Sequence, residues 1–366
     1  MKRPLITINS LEMRPFRHRQ KTRHGIFEFD GETGDLIGFV AEDPSLDGDD
    51  LLNSRSFAFG LDGGILVVSR RPDPGSVIEY DVATGAKRGT FVPVGTGGML
   101  TPRKIRFNSD GNLQVLHSTT ACDASGVLEF DGVTGEFTRE VVPLGSCGLR
   151  CGMDIAEDEA GHLYITDNAG AVFRFNAATG NCLGDAPIIQ ASADPLTRIE
   201  AVEILPAGAQ LVFPWWSDTD SGKGRVTLHD AETGAMLAIP IAPPAGNVDI
   251  ARASCFSPQG ELLVAGYPDL VFRYDLTSGI SYGVFASQDN ASGIAEAREI
   301  SFQPLAGDAN GDWTIDLNDF AGLQRCLGAD GVAPSDYRCF TLDYDRDGDV
   351  DAADGAALAR RLTGPQ

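Results

Sequence analysis

Short runs in which apolar and polar residues alternate with a period of two return six times along the chain. "FEFDGETGDLIGFV" (27–40) comes back as "IEYDVATGAKRGTFV" (78–92), "LEFDGVTGEFTREVV" (128–142) and "VFRFNAATGNCLGDAPI" (172–188), then as "VTLHDAETGAMLAIPI" (226–241) and "VFRYDLTSGISYGVF" (271–285). Each copy runs from an alternating strand into Asp or Asn, two further residues, Thr or Ser and a glycine, and then a second alternating strand. The glycines are Gly34, Gly85, Gly135, Gly180, Gly234 and Gly279. Such a pattern predicts an antiparallel hairpin whose turn needs a positive φ at its glycine. A second hairpin precedes five of the copies, as in "RKIRFNSDGNLQVLHS" (103–118) and "CGMDIAEDEAGHLYITD" (151–167). Each period therefore predicts four short antiparallel strands.

Four strands per repeat at nearly constant spacing predict the blade of a β-propeller, because a flat meander or a sandwich does not require one hairpin pair to recur at fixed length. The expected fold is mainly β, a six-bladed propeller over residues 1–304. "PLITINS" opens the chain just before the first turn motif, and "AREISFQP" (297–304) matches the innermost strand of the other repeats and then stops. The two segments are expected to complete one blade together, leaving no free sheet edge. The repeats resemble NHL-type propellers and those of streptogramin lyases and gluconolactonases. That resemblance is architectural, and it implies a fold that serves enzymes and inert platforms alike. None of those families' catalytic histidines or metal carboxylates has a counterpart that can be placed here.

Beyond residue 304 the alternation gives way to two acidic loops, each followed by an apolar stretch of helical period. "DANGDWTIDLND" precedes "FAGLQRCLG", and "DYDRDGDVDAAD" precedes "GAALARRLTG". Oxygen-bearing side chains at loop positions 1, 3, 5, 9 and 12 are the spacing by which a loop wraps a hard cation. An acidic surface turn has no reason to repeat that spacing in phase. A loop followed by a helix, given twice, resembles the type I dockerin, over Asp308 to about Gly364. The expected small C-terminal α-helical domain covers 305–366. The resemblance implies Ca2+ at two sites, held by Asp308, Asn310, Asp312, Asp316 and Asp319 and by Asp343, Asp345, Asp347, Asp351 and Asp354. Thr314 and Asp349 would add backbone carbonyls. Trp313 stands where the motif has glycine, so the second site is expected to be the stronger. The implied partner is a cohesin-like or cell-surface protein. The pairs Leu317–Asn318 and Ala352–Ala353 replace the hydroxyl residues usual at the partner-selecting positions.

Composition narrows the partners. The 366 residues carry 52 Asp and Glu against 29 Lys and Arg, a net charge of −23. That balance argues against nucleic acid, although the first 24 residues are basic. No apolar run approaches membrane-spanning length. Seven cysteines are many for a reducing compartment. Cys326 and Cys339 bracket the segment between the two acidic loops and are expected to be bonded. Cys122, Cys147, Cys151 and Cys182 can supply one or two more bridges, and Cys255 reads as a buried thiol. An extracellular or cell-surface location is expected. "MKRPLITINS" lacks the apolar core of a secretory signal, so such a signal is expected upstream, with Met1 an internal start.

Candidate chemistry gathers at one face of the propeller. Aligning the innermost strands places Arg55, Arg103, Arg252 and Arg298 four residues before a shared apolar position. Arg150 lies one step off, and Glu200 takes the place in the fifth repeat. Aligned second strands bring Asn9, Ser69, His117, Asp167, Trp215 and Gly266 to equivalent positions. The arginines serve either as salt bridges between blades or as a ring for an anion, since a guanidinium grips carboxylate or phosphate with two parallel bonds. Together with His117, Asp167 and Trp215 they form the candidate site for an anionic or carbohydrate ligand. The expected function is an extracellular binding or scaffold protein linked to polysaccharide utilisation. The alternative is a lactonase- or lyase-like enzyme acting at the same face.

Overall fold

The computed structural model describes residues 5–10, 24–43, 51, 54–60, 64–70, 74–108, 110–184, 187–190, 197–205, 210–217, 224–241, 250–267, 270–287, 297–303, 308, 315, 317–328, 339, 342–343 and 350–359. The strands β1 (Leu5–Ser10), β2 (His24–Asp30) and β3 (Leu36–Asp43) form one antiparallel sheet with β24 (Ala297–Phe302), in the order β24-β1-β2-β3. Both ends of the propeller thus meet in one sheet. The next sheet contains β4 (Phe57–Phe59), β5 (Gly64–Ser69), β6 (Ser76–Asp81) and β7 (Lys87–Val92). It is followed by β8 (Thr101–Phe107), β9 (Leu113–Ser118), β10 (Ser125–Phe130) and β11 (Phe137–Val142). The fourth sheet has three strands, β12 (Gly152–Glu157), β13 (His162–Asp167) and β14 (Val172–Asn176). In the fifth, β15 (Thr197–Ile199) and β16 (Glu203–Ile204) both pair with β17 (Gln210–Ser217), which leads to β18 (Arg225–Asp230) and β19 (Met236–Ile241). The last comprises β20 (Ile250–Phe256), β21 (Leu262–Tyr267), β22 (Leu270–Tyr274) and β23 (Ser281–Ser287).

Five of these sheets carry the four-strand path of a complete blade, which corrects the expectation of six. In the fourth, the segment after β14 makes only isolated bridges among the described residues, Phe175 to Cys182 and Val172 to Ile189. The reasons are local. Cys182 is tied by a disulfide to Cys147, Gly184 takes a φ of 109°, and Pro187 has no N–H to give to a ladder.

The core lies between sheets. Ile26 and Val40 pack against Ile65 and Val67, Leu66 and Val68 against Val115 and Leu128, and Leu116 and Val127 against Leu163 and Phe173. Tyr164 and Val172 meet Leu211 and Phe213, and Val212 and Val226 meet Leu262 and Val264. Leu263 and Ala265 then pack on Phe27 and Ile300, which returns the sequence of contacts to the first sheet. The repeated turns tighten this arrangement. Asp81 Oδ1 accepts the Thr84 N–H at 2.9 Å and its hydroxyl at 2.8 Å, and Asp131, Asn176 and Asp230 repeat both bonds. The six turn glycines all have φ between 69° and 74°. A Cβ on Gly180 would lie 1.8 Å from the carbonyl oxygen of Val141, on the outer strand of the preceding sheet. Glycine here admits both the turn and the close approach of the next sheet.

The C-terminal module has two described helices, α1 (Leu317–Cys326) and α2 (Ala352–Ala359). Leu323, Cys339, Leu342, Val350 and Leu358 form its buried cluster. Cys326 is bonded to Cys339, and Gly328 N–H donates to the Val350 carbonyl at 2.8 Å, joining the end of α1 to the second loop.

Candidate functional site

The innermost strands share an irregularity at one level. Across β8 and β9, Pro102 faces His117 and Lys104 faces Leu116, so Arg103 is the extra residue of a β-bulge. Met153 is skipped in the same way between Gly152 and Asp154, Arg252 between Ala251 and Ala253, and Arg298 between Ala297 and Glu299. In the fifth sheet Ile199 faces Trp215 and Glu203 faces Val212, so that four steps oppose three, and Glu200 lies within the irregular stretch. A bulge frees a side chain from strict alternation and re-aims it. Those re-aimed residues, with Arg55 just before β4 and with Lys104, line a cavity of about 30 Å³: Arg55, Arg103, Lys104, Met153, Glu200, Arg252 and Arg298. That is room for a water molecule or a small polyatomic group.

Arg103 is held firmly. Its Nε donates to Ser118 Oγ at 2.9 Å, Nη1 to Met153 Sδ at 3.6 Å, and Nη2 to Cys122 Sγ at 2.6 Å. Cys122 is bonded to Cys151, two residues before Met153, so one disulfide positions two walls of the cavity. Burial, followed by repulsion from Arg55 and Arg70, lowers the Arg103 pKa to about 10 against the opposing pull of Glu200. No carboxylate lies within ion-pair distance of Arg103 among the described residues.

Just beyond the bulges lies a buried polar layer. Lys104 Nζ is 3.0 Å from Asp154 Oδ1 and 2.6 Å from Glu299 Oε2. Burial works against its charge, but the two carboxylates outweigh burial and raise its pKa. Asp154 also accepts N–H bonds from Ile155 at 2.8 Å and Val202 at 3.0 Å. Ser254 Oγ donates to Glu203 Oε1 at 3.1 Å, and Ser56 Oγ accepts the Ile105 N–H at 3.1 Å. Burial pushes Glu203 up to about 8 and Glu299 up to about 7, with nearby Asp154 adding to both. The layer neutralises its lysine and floors the arginine cavity. It was not read from the sequence, although a charged residue next to each ring position, within an otherwise apolar strand, was the available signal.

The structure brings Arg55, Arg103, Arg252 and Arg298 to one cavity and places the other candidates elsewhere. His117 is buried, its Nδ1 accepts the Leu100 N–H at 3.3 Å, and burial lowers its pKa to about 4. Asp167 Oδ1 accepts N–H bonds from Ala169 at 2.8 Å and Ala171 at 2.9 Å, which shapes the turn after β13. The Trp215 indole donates to Thr227 Oγ1, and Arg225 lies 5.2 Å above its ring, in the core between the fourth and fifth sheets. None of the three lines the cavity.

In the C-terminal module Asp308, Asp319, Asp343, Asp351 and Asp354 are described. Asn310, Asp312, Thr314, Asp316, Asp345, Asp347 and Asp349 lie outside the described residues, as does Trp313. Asp319 and Asp354 are both 0% exposed and stand in the first turns of α1 and α2. Asp354 Oδ2 accepts the Asp351 N–H at 2.8 Å, and Asp351 Oδ1 accepts the Ala353 N–H at 2.6 Å. Wholly buried carboxylates require compensation by hydrogen bonds or by a cation. An all-oxygen donor set with buried carboxylates at position 12 of each loop fits a hard divalent ion.

Residues 306–363 match the family model of the dockerin type I domain. Among solved structures, a Bacteroides uniformis protein provisionally named a 6-phosphogluconolactonase aligns over 83% of this chain and 100% of its own, at 14% identity and TM-score 0.52. A Bacteroides fragilis protein with the same provisional name aligns over 82% and 98%, at 12% identity and TM-score 0.52. No curated protein matches the chain. At such identities the structural likeness speaks for the fold alone. The chain is a β-propeller followed by a type I dockerin domain.

Proposed function

We propose that this is an extracellular binding or scaffold protein, in which the dockerin domain attaches the propeller to a cohesin-type partner in a calcium-dependent manner. The dockerin match over 306–363 carries this reading. Two domains are implied, the propeller to residue 304 and the dockerin-like unit from 305. Asp308, Asn310, Asp312, Asp316 and Asp319, with the Thr314 carbonyl, would hold one Ca2+. Asp343, Asp345, Asp347, Asp351 and Asp354, with the Asp349 carbonyl, would hold the other, and more strongly because Gly348 rather than tryptophan makes its turn. Bound calcium neutralises the crowded carboxylates. The chain's own contribution is to hold α1 and α2 together through the Leu323, Val350 and Leu358 cluster and the Cys326–Cys339 bridge, which forms the platform for the partner. Three disulfides support an oxidising compartment. The enzyme reading gains nothing from the cavity, because His117 and Asp167 are committed elsewhere. A panel of immobilised type I cohesins tests the proposal. Capture of the calcium-loaded protein by at least one, abolished by EGTA, is the expected result. Failure of every cohesin to retain folded, calcium-loaded protein would overturn it.

A further inference from the structure

We propose that the cavity lined by Arg55, Arg103, Arg252 and Arg298 is a binding site for a small, multiply charged oxyanion of the phosphate or sulfate type. The anion is either a free ion or the charged group of a larger molecule, and the test below separates the two. The inference rests on how the cavity is built rather than on the number of arginines alone. Four innermost strands spend a bulged residue at the same level, three of them an arginine, and the fifth sheet breaks register there as well. Bulges interrupt ladder hydrogen bonds, and their coincidence around one cavity marks a feature the fold maintains.

The chemistry of the lining selects the ligand. Five of the seven lining residues are cationic and one, Glu200, is a carboxylate. Lys104 is already committed to Asp154 and Glu299 beneath. Arg103 is fixed by a hydroxyl and two sulfur atoms, which orient its planar fork without neutralising its charge. Its depressed pKa reflects the same conflict, since burial and repulsion from Arg55 and Arg70 outweigh the pull of Glu200. An oxyanion would relieve that repulsion, and converging forks match its several oxygens. The cavity of about 30 Å³ suits the charged group, so any larger ligand would enter by its anionic end. Charge density favours a dianion over a monocarboxylate, because a single negative charge leaves more of the repulsion in place.

The test uses the full-length protein in chloride buffer, with calcium present, at constant ionic strength. Inorganic phosphate, sulfate and a sugar phosphate are titrated separately by calorimetry, with galacturonate as the monocarboxylate arm. The melting temperature of the propeller transition is followed alongside. Phosphate and sulfate are expected to bind and to raise that temperature, with galacturonate at least tenfold weaker. Tighter binding of the sugar phosphate than of phosphate would identify a larger ligand's head group, and equal binding would identify the free ion; both support the site. In Arg103→Met, anion binding should weaken at least tenfold, while the melting temperature in anion-free buffer should stay the same or rise, because a repelled charge has been removed. Unchanged binding in Arg103→Met would overturn the proposal, as would equal affinity for chloride and phosphate. A variant that melts lower in anion-free buffer yet shifts with phosphate like the wild type would assign the arginine a purely structural role. None of these outcomes depends on cohesin capture, so the two proposals fail separately.

Discussion

The propeller and the dockerin domain solve the same problem with opposite means. The propeller buries apolar side chains between every pair of neighbouring sheets, in clusters such as Leu116, Val127, Leu163 and Phe173. In its buried polar layer the charges compensate one another, as Lys104 is balanced by Asp154 and Glu299. Among the described residues the dockerin domain has one small cluster, Leu323, Cys339, Leu342, Val350 and Leu358, and buries three carboxylates, Asp308, Asp319 and Asp354. A domain of that size, with the apolar burial its described residues show, is stabilised by a covalent or metallic constraint. The propeller carries its stability in repeated packing, while the small C-terminal domain borrows it from ligand and disulfide.

Chelation gives the largest expected effect. EGTA should abolish the cooperative melting of the dockerin domain and its helical circular dichroism, while the propeller transition moves by no more than a degree or two. Because the loops bind calcium only when folded, the stabilisation grows with free calcium over the dissociation constant and disappears with it. Asp354→Ala should act as a partial chelation, lowering calcium affinity more than Asp308→Ala does. A propeller that melts together with the dockerin on chelation would erase the contrast between them.

The covalent constraint comes next. Replacing Cys326 and Cys339 by Ala removes a bridge over a sequence separation of 13, worth about 3 kcal/mol in the chain-entropy description. The loss should appear as weaker apparent calcium binding, because folding and metal binding are linked in this domain. Calorimetric calcium titration of the double variant measures it, and wild-type affinity in that variant would show that the cluster suffices alone.

Within the propeller, a turn glycine should prove costly where an ordinary strand glycine is not. Gly180→Ala sets a Cβ 1.8 Å from the Val141 carbonyl oxygen at a φ of 70°. We expect a loss of about 2 kcal/mol or more by chemical denaturation. Gly89→Ala in β7 meets nothing within 4 Å and should change stability by about 0.5 kcal/mol at most. Comparable losses at both positions would mean that the turns are not where the sheets lock.

How much of this was legible in the sequence follows from periodicity. The turn motif around Asp81 and Gly85, or Asp131 and Gly135, fixes a hairpin locally, and its recurrence fixes the propeller. The dockerin loops were legible because cation chemistry demands a spacing. The bulges were not, since one inserted residue leaves the alternation of apolar positions nearly unchanged. Hence the ring position of the fourth sheet falls at Met153 and not at Arg150, and the buried Lys104, Asp154 and Glu299 layer went unread. His117 and Trp215 belong to second strands, one strand removed from the axis, where side chains fill the space between sheets. That the described residues of the fourth sheet form three strands turned on Cys182 finding Cys147, a pairing that spacing left open.

The smallest effect separates the two regions by the sign of their response to pH. Burial raises Glu203 to about 8 and Glu299 to about 7 from the ordinary glutamate value of 4.5. Between about pH 4.5 and 8 these two carboxyls therefore hold more protons in the folded propeller than in the unfolded chain, and their contribution falls as pH rises through that window, opposed below about pH 6.5 by His117, whose pKa burial lowers to about 4. Above it both carboxyls are ionised in either state and the dependence ends. Ser254 Oγ can still donate to an amide oxygen at position 203, so Glu203→Gln should flatten the slope without opening the core. The dockerin domain has the opposite sign, because its carboxylates must be ionised to hold calcium and release it as they are protonated. Denaturant midpoints of the propeller transition at pH 5, 6.5 and 8, in wild type and Glu203→Gln, measure the first slope. Calcium affinity across the same range measures the second. A propeller that gains stability on going from pH 5 to pH 8 would show that Glu203 and Glu299 fold in their ionised form, with Lys104 and solvent compensating both.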